Sequence, residues 1–319
     1  MSSDTGRAEL RKSPLLAVVG PTGSGKTATA IRLAQALGGE IVNADAFQVY
    51  RGMDVGTAKP TLAEQASCKF HLIDLIDPCQ SFSVAEWRRR AEDSIRDIQS
   101  RNLVPIICGG AGMYIKALAS GWSLAESPPN EALRTELRTI ASTRGVAVVH
   151  AMLAELDPSS AVRLHPNDLV RVIRAIEVCK LTGTPMSQLH QTDTTGAGKY
   201  SILQLGLLWP RSELYSRIDN RVIEMMESGF PAEVQHLLEI GVTRQCPGMR
   251  SLGYGEVADM LQGSLSKQEA INAISMRTRQ YAKRQITWFK QDRSIRWVEP
   301  TDSNWLKDML TEWDNVRAN

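Results

Sequence analysis

The sequence predicts an α/β fold: a parallel sheet wrapped by helices, with an α-helical insertion. Three observations carry this. From residue 14 to about 122, apolar runs of strand length alternate with stretches of helical periodicity. A glycine-rich loop, Gly20-Pro21-Thr22-Gly23-Ser24-Gly25-Lys26-Thr27, joins the first such run to the first helix. From about 131 to 190 the pattern turns helical and arginine-rich, with no strand pattern between.

The elements follow in order. Residues 15–19 (LLAVV) read as a short buried strand by length and flanks. After the loop, Ile31, Ala34 and Leu37 recur at helical spacing and Gly38-Gly39 gives a stop. Residues 40–45 (EIVNAD) make a second strand that ends on a carboxylate, and residues 70–77 (FHLIDLID) a third apolar run. Residues 83–100 are helical, with Val84, Trp87, Ala91, Ile95 and Ile98 on one side. Residues 103–108 (LVPIIC) form a fourth strand running into Gly109-Gly110-Ala111-Gly112. Ser127-Pro128-Pro129-Asn130 punctuates the change of style, and helices are expected at 131–142, 146–156 and 168–181. Residues 200–208 restore a strand. Residues 211–297 are mainly helical and close on Arg296-Trp297-Val298. Trp305, Met309, Trp313 and Val316 mark a last amphipathic helix. The expected organisation is a loose tail at 1–13, a core of 14–124 with 200–319, and the helical insertion at 125–199.

Bulk composition narrows the classes. Apolar residues make 43% and charged residues 23% of the 319, as in ordinary soluble globular proteins. The formal net charge of +2 does not announce nucleic acid, so any basic surface must be local. Five cysteines at wide spacing show no metal-ligand pattern, which points to a reduced, cytoplasmic protein with buried thiols. No apolar run is long enough for a membrane span, and the acidic residues Asp4 and Glu9 argue against a transit peptide.

The pattern G-x-x-x-x-G-K-[ST] at 20–27 is a phosphate-binding loop. Its glycines let backbone N–H groups curl around a diphosphate, Lys26 reaches the outer phosphate, and the Thr27 hydroxyl can hold Mg2+. The helix that follows points its positive end at the same anion. Ligands of such sheets sit at the strand C-terminal ends, which gathers the loop, Asp45 and Gly109–Gly112 around one crevice. Conventional phosphate-loop ATPases hold Mg2+ through an Asp at a strand end. The fourth strand ends instead in Cys-Gly-Gly. Asp45 is either a local cap or a general base near the phosphates. Its neighbours Phe47, Gln48 and Tyr50 suit a planar acceptor such as a nucleobase. Near the C-terminus, Arg277, Arg279, Lys283, Arg284 and Lys290 interleave with Tyr281, Trp288 and Phe289. That mixture suits a nucleic-acid backbone, or a solvated helix with its aromatics in the core. Arg217 and Arg221 could clamp phosphate or pair with Glu213 and Glu224.

Taken in order, eight segments resemble the tRNA dimethylallyltransferases, also called tRNA isopentenyltransferases. They are GPTGSGKT at 20–27, NADAFQVYRGMDVGTAKP at 43–60, FHLID at 70–74 and GGAGMY at 109–114. LHPNDLVRVIRAIEV at 164–178, RIDNRVIEMMESGF at 217–230, SLGYGE at 251–256 and TRQYAKRQITWFK at 278–290 complete the set. The resemblance spans nearly the whole chain and implies a P-loop NTPase-like core. It implies transfer of a dimethylallyl group from its diphosphate to the exocyclic N6 amine of the adenosine next to the anticodon, giving N6-(dimethylallyl)adenosine. In such a reaction no phosphoryl group moves, which accounts for the missing second carboxylate. Asp45 would accept the amine proton. Lys26, Thr27 with Mg2+, and Arg217 would stabilise the departing diphosphate.

For tRNA, the implied contacts are Asp45, Ala46, Phe47 and Gln48, then Ala111 and Arg134. Asn167, Asp168, Leu169, Val170 and Arg171 follow in the insertion, which would grip the anticodon stem-loop. Arg250, Ser251, Leu252, Gly253, Tyr254 and Gly255 form a fourth group. Lys283, Arg284, Gln285, Ile286, Thr287, Trp288, Phe289 and Lys290 form the fifth. The adenine would be flipped out of its stack to reach Asp45. Ala46, Ala111 and Gly255 depart from the family's commonest residues, which are two hydroxyls and one basic side chain. No C-terminal zinc-finger spacing is present, so the chain resembles the short bacterial form, expected as a monomer with no obligate protein partner. The rival readings are a small-molecule kinase and a nucleic-acid-binding module with a vestigial loop.

Overall fold

The structure is a computed structural model that describes residues 12–120, 129–191 and 198–318. The expected tail up to residue 11, and the expected boundary at Ser127 and Pro128, lie outside these residues. The chain divides into two compact units, Met1–Ala119 with Tyr200–Asn319, and Ser120–Lys199.

In chain order the elements are β1 (Ser13–Val19), α1 (Lys26–Leu37), β2 (Gly39–Asn43), α2 (Leu62–Ser67) and β3 (Phe70–His71). Next come α3 (Val84–Ser100), β4 (Val104–Gly109) and α4 (Gly112–Ser120). The second unit carries α5 (Glu131–Arg144), α6 (Val146–Leu156), α7 (Pro158–Arg163), α8 (Leu169–Thr182) and α9 (Met186–Gln191). The first unit resumes with β5 (Tyr200–Leu207), α10 (Arg211–Glu227), α11 (Phe230–Glu239), a 3-10 turn (Pro247–Arg250) and α12 (Tyr254–Leu261). It closes with α13 (Lys267–Phe289), β6 (Arg296–Val298) and α14 (Trp305–Ala318).

The six strands form one parallel sheet in the order β3-β2-β4-β1-β5-β6. A parallel sheet is covered on both faces, so its strands read as unbroken apolar runs. Leu15 to Val19 accordingly show no exposed surface. Alternate side chains serve opposite faces. Leu15, Ala17 and Val19 pack with Trp87, Ile95 and Ile98 of α3, while Leu16 and Val18 pack with α1 and with Trp305, Met309 and Trp313 of α14. A further cluster gathers Val49, Tyr50 and Met53 with residues of α10, α11 and α12. Among the described residues no helix is long and apolar enough to cross a membrane.

The second unit has its own core, built on Leu137, Val149, Leu153, Val172 and Ile176. Glu177, fully buried, accepts hydrogen bonds from Asn130 N (2.7 Å) and from the guanidinium groups of Arg134 (2.8 and 2.9 Å) and Arg174 (2.5 Å). Burial works to raise its pKa, but these donors outweigh it and hold the carboxylate below the ordinary value.

Three expectations are corrected. The third apolar run is a strand only over Phe70–His71, because Leu72 (φ 64°) and Asp74 (φ 54°) take left-handed backbone and turn the chain out of the sheet. The first strand begins at Ser13, inside the expected tail. The cysteines are not all thiols: Cys79 and Cys246 form a disulfide across 167 residues of sequence, while Cys68, Cys108 and Cys179 are free and buried. Pairing over such a distance leaves no trace in local spacing.

Candidate active site

β1 delivers the chain into the phosphate loop. Gly25 caps α1 at φ 89°, left-handed backbone that glycine adopts without steric cost. The loop is clamped from outside. Trp209 Nε1 donates to Ser24 O (3.0 Å), Arg217 Nε donates to Gly23 O (3.1 Å), and Thr22 N donates to Gln285 Oε1 (2.8 Å). Lys26 Nζ donates to Pro21 O (2.7 Å) within the loop. Thr22, Gly23, Gly25, Lys26 and Thr27 line a crevice of about 1010 Å3 that also takes in Asp45, Gln48, Arg217, Arg221 and Tyr281. Gly20, Pro21 and Ser24 of the same loop are buried, Ser24 with no exposed surface. Surrounding protein lowers the Lys26 pKa to about 8 by desolvation, against the pull of Cys108 and Asp45.

Asp45 stands two residues beyond β2. Its Oδ1 accepts from Phe47 N (2.9 Å) and Gln48 N (3.4 Å), a local turn that fixes the carboxylate. Ala44 N donates to Cys108 O (2.7 Å) and Ala111 N to Ala44 O (3.1 Å), which ties this turn to the end of β4. Asp45 is near enough to Tyr281 to help raise that phenol to about 12, although burial is the larger cause. Thus Asp45 serves as a local turn former and also faces the crevice.

Arg217 and Arg221, one turn apart on α10, both line the crevice. The Arg217 guanidinium stacks 4.3 Å from the Trp209 ring. Burial lowers the Arg221 pKa, while Asp45 and Glu224 pull it back up. Opposite them, buried Lys59 donates to Tyr50 O (2.9 Å) and to Asp74 Oδ1 (2.5 Å), and also pairs with Asp54. The turn at 72–74 that ends β3 is what brings Asp74 to this lysine. Glu233 of α11 accepts from Asp54 N, Val55 N and Gly56 N (2.7, 2.7 and 3.1 Å) and fixes the rim. Glu233, Trp209 and the reach of Gln285 were not marked by any local pattern, and Lys59 was marked only as part of the segment at 43–60.

The expected tRNA-contact segments are exposed only in part. On α13, Lys283, Arg284 and Thr287 are exposed, as is Lys290 at its C-cap, Ile286 and Trp288 are half-buried, and Gln285 and Phe289 buried. Arg250 is exposed and Leu252 and Gly255 half-buried, whereas Ser251, Gly253 and Tyr254 are buried. Tyr254 packs edge-on to Phe230 and its hydroxyl donates to Glu233 Oε1 (2.6 Å), a core arrangement. Ala46, Phe47, Gln48 and Ala111 are half-buried. Gln48 Nε2 is held by Thr57 O and Ala58 O (3.2 and 3.0 Å). In the second unit Asn167, Val170 and Arg171 are exposed, Asp168 caps α8, and Leu169 packs on the core. Arg134 is occupied by Glu177.

Comparison with known proteins matches this geometry to one group. The family model described as IPP transferase matches residues 48–292, and that described as isopentenyl transferase matches residues 13–76. The chain is 48% identical to the tRNA dimethylallyltransferase 2 of Geotalea daltonii, covering 90% of this chain and 88% of that protein. It is 46% identical to the tRNA dimethylallyltransferase of Geobacter sulfurreducens, over 90% and 92%. The crystal structure of the tRNA isopentenylpyrophosphate transferase of Bacillus halodurans is similar with a TM-score of 0.69 at 38% identity, covering 96% of both chains. A eukaryotic dimethylallyltransferase captured acting on tRNA is similar with a TM-score of 0.78 at 28% identity, covering 96% of this chain and 77% of that one.

Proposed function

The chain belongs to the tRNA dimethylallyltransferase family, and from that premise we propose how its crevice carries out the transfer. The protein is a prenyl-transferring enzyme with a P-loop NTPase-like core. The donor is dimethylallyl diphosphate and the acceptor is the N6 amine of the adenosine beside the anticodon in tRNA. Asp45 takes a proton from N6. The N6 lone pair bonds to the allylic C1, and the C1–O bond breaks toward the diphosphate. Charge that develops on the leaving group falls among the loop N–H groups, Lys26, Arg217 and Arg221.

The observation that carries this reading is the shared crevice: Asp45 opens on the same space as the loop, Lys26, Arg217 and Arg221, while two other carboxylates of the lining, Asp54 and Asp74, are engaged by Lys59. The walls support an uncharged acceptor as well as an anion, since Tyr281, Met225 and Ala58 also line it. Mg2+ fits at Thr27, whose hydroxyl side chain lines the crevice in the first turn of α1. Among the described residues no group of three or more His, Cys, Asp or Glu gathers to hold a metal, so oxygens of the donor diphosphate would complete the shell. When bound, the ion supplies charge neutralisation to the leaving diphosphate. For the tRNA, exposed Lys283, Arg284 and Lys290, with Arg250, offer phosphate contacts. Asn167 and Arg171 offer others on the second unit.

The test is incubation with dimethylallyl diphosphate, ATP, Mg2+ and unmodified tRNA, followed by mass analysis of the digested nucleosides and of the remaining ATP. A gain of one C5H8 unit on adenosine is expected. Nucleoside triphosphate consumption without that gain would sink the reading in favour of phosphoryl transfer.

A further inference from the structure

Gln285 lies in the middle of the basic stretch of α13, between exposed Arg284 and half-buried Ile286, yet it is only 6% exposed itself. Both ends of its amide are engaged. Oε1 accepts from Thr22 N at 2.8 Å, and Nε2 donates to Gly110 O at 2.9 Å. One side chain therefore spans the phosphate loop after β1 and the glycine loop after β4, from a helix 263 residues further along the chain than Thr22. The fit is close. A Cβ at Gly110 would come within 2.2 Å of Gln285 Nε2, and one at Gly112 within 2.2 Å of the Trp288 ring one turn further along α13.

A glutamine only 6% exposed, bordering the crevice and with both ends of its amide already bonded to the two loops, is poorly placed to meet the phosphate backbone of a nucleic acid. It has much to offer the loops. Thr22 N–H sits at the start of the amide run that receives the phosphates, and a fixed acceptor there sets where the following N–H groups point. We propose that Gln285 is a positioning residue, not a tRNA contact. It holds the phosphate loop at the spacing from Gly110 that accepts a diphosphate, and so couples α13 to the donor site. Its neighbours Lys283 and Arg284, and Lys290 at the helix C-cap, are exposed, so the element that meets tRNA is also the element that braces the loop. The inference rests on the crevice being a diphosphate site.

Gln285→Met keeps the length of the side chain and removes both hydrogen bonds. Three readouts are needed: affinity for inorganic diphosphate with Mg2+ by calorimetry, affinity for unmodified tRNA as a function of salt, and the KM for dimethylallyl diphosphate against kcat. We expect diphosphate affinity to fall about ten-fold and the donor KM to rise with it, as for the loss of two buried hydrogen bonds. The tRNA affinity and its salt slope should stay within about two-fold of wild type. A fall in tRNA affinity with unchanged diphosphate binding would overturn the proposal. Should Gln285→Met not fold, wild-type protein still decides the matter. Amide hydrogen exchange should find Thr22 N–H protected with no ligand present, and a freely exchanging Thr22 amide would refute the bridge. Wild-type protein that binds no diphosphate would sink the crevice reading itself. Wild-type binding matched by Gln285→Met would sink only the role of Gln285.

Discussion

At the scale of single residues, Lys26 and Asp45 show how one crevice holds opposite charges ready for different tasks. Both were legible in the sequence, because a phosphate loop and a carboxylate after a strand are local patterns with local causes. Of the two readings the sequence left open for Asp45, cap or base, the structure shows the first, since Oδ1 takes two backbone N–H groups; the side chain also lines the crevice, where the proposed base would stand. Lys26 makes a testable statement about pH. Desolvation lowers its pKa to about 8, so the free enzyme loses this charge as pH rises through that value. The ratio of wild-type to Lys26→Arg affinity for inorganic diphosphate, in which the ligand's own ionisation cancels, should be level below pH 8 and decline above it, since the Arg charge persists. A ratio that stays level to pH 9.5 would mean that Lys26 keeps its proton there.

Among elements, the strands and long helices followed from periodicity, whereas the parts that brace the site did not. Glu233 reaches Asp54 across 179 residues, Gln285 reaches Thr22 across 263, and Cys79 pairs with Cys246 across 167. No window of sequence contains both partners of any of these. The short β3 has the same origin, since Asp74 must leave the sheet to meet Lys59. β2 and β3 are further pinned by Glu40, which accepts from Arg101 (2.5 and 2.7 Å) beyond α3 and meets His71 (2.6 Å). Hydrogen bonds from Arg101 are the main cause that lowers the Glu40 pKa to about 2, with His71 adding to them against burial. A carboxylate with a lowered native pKa stabilises the fold above its unfolded pKa and loses that contribution as pH falls toward 2. Glu40→Gln should therefore cost on the order of 1 kcal/mol in urea unfolding at pH 7, because the Arg101 side chain is partly exposed and solvent screens the pair. The gap between variant and wild type should narrow steadily below pH 4.5. A gap that does not change with pH would show that the Arg101 pairing is not its source.

For the molecule as a whole, a net charge of +2 conceals a basic surface concentrated on α13. Its outward residues are basic while Gln285 and Phe289 are buried, a division that composition could not reveal and that only burial separates. Lys283→Ala combined with Arg284→Ala should weaken tRNA binding and flatten its dependence on salt by about two phosphate contacts, with inorganic diphosphate affinity unchanged. An unaltered salt slope would remove these side chains from the tRNA surface. The whole arrangement depends on one claim, that the loop receives a leaving diphosphate while Asp45 takes the amine proton beside it. Asp45→Asn tests it most directly, in single-turnover transfer from dimethylallyl diphosphate to unmodified tRNA. The rate should fall by roughly 10²–10⁴-fold, with diphosphate affinity nearly intact. A rate close to that of wild type would contradict the claim.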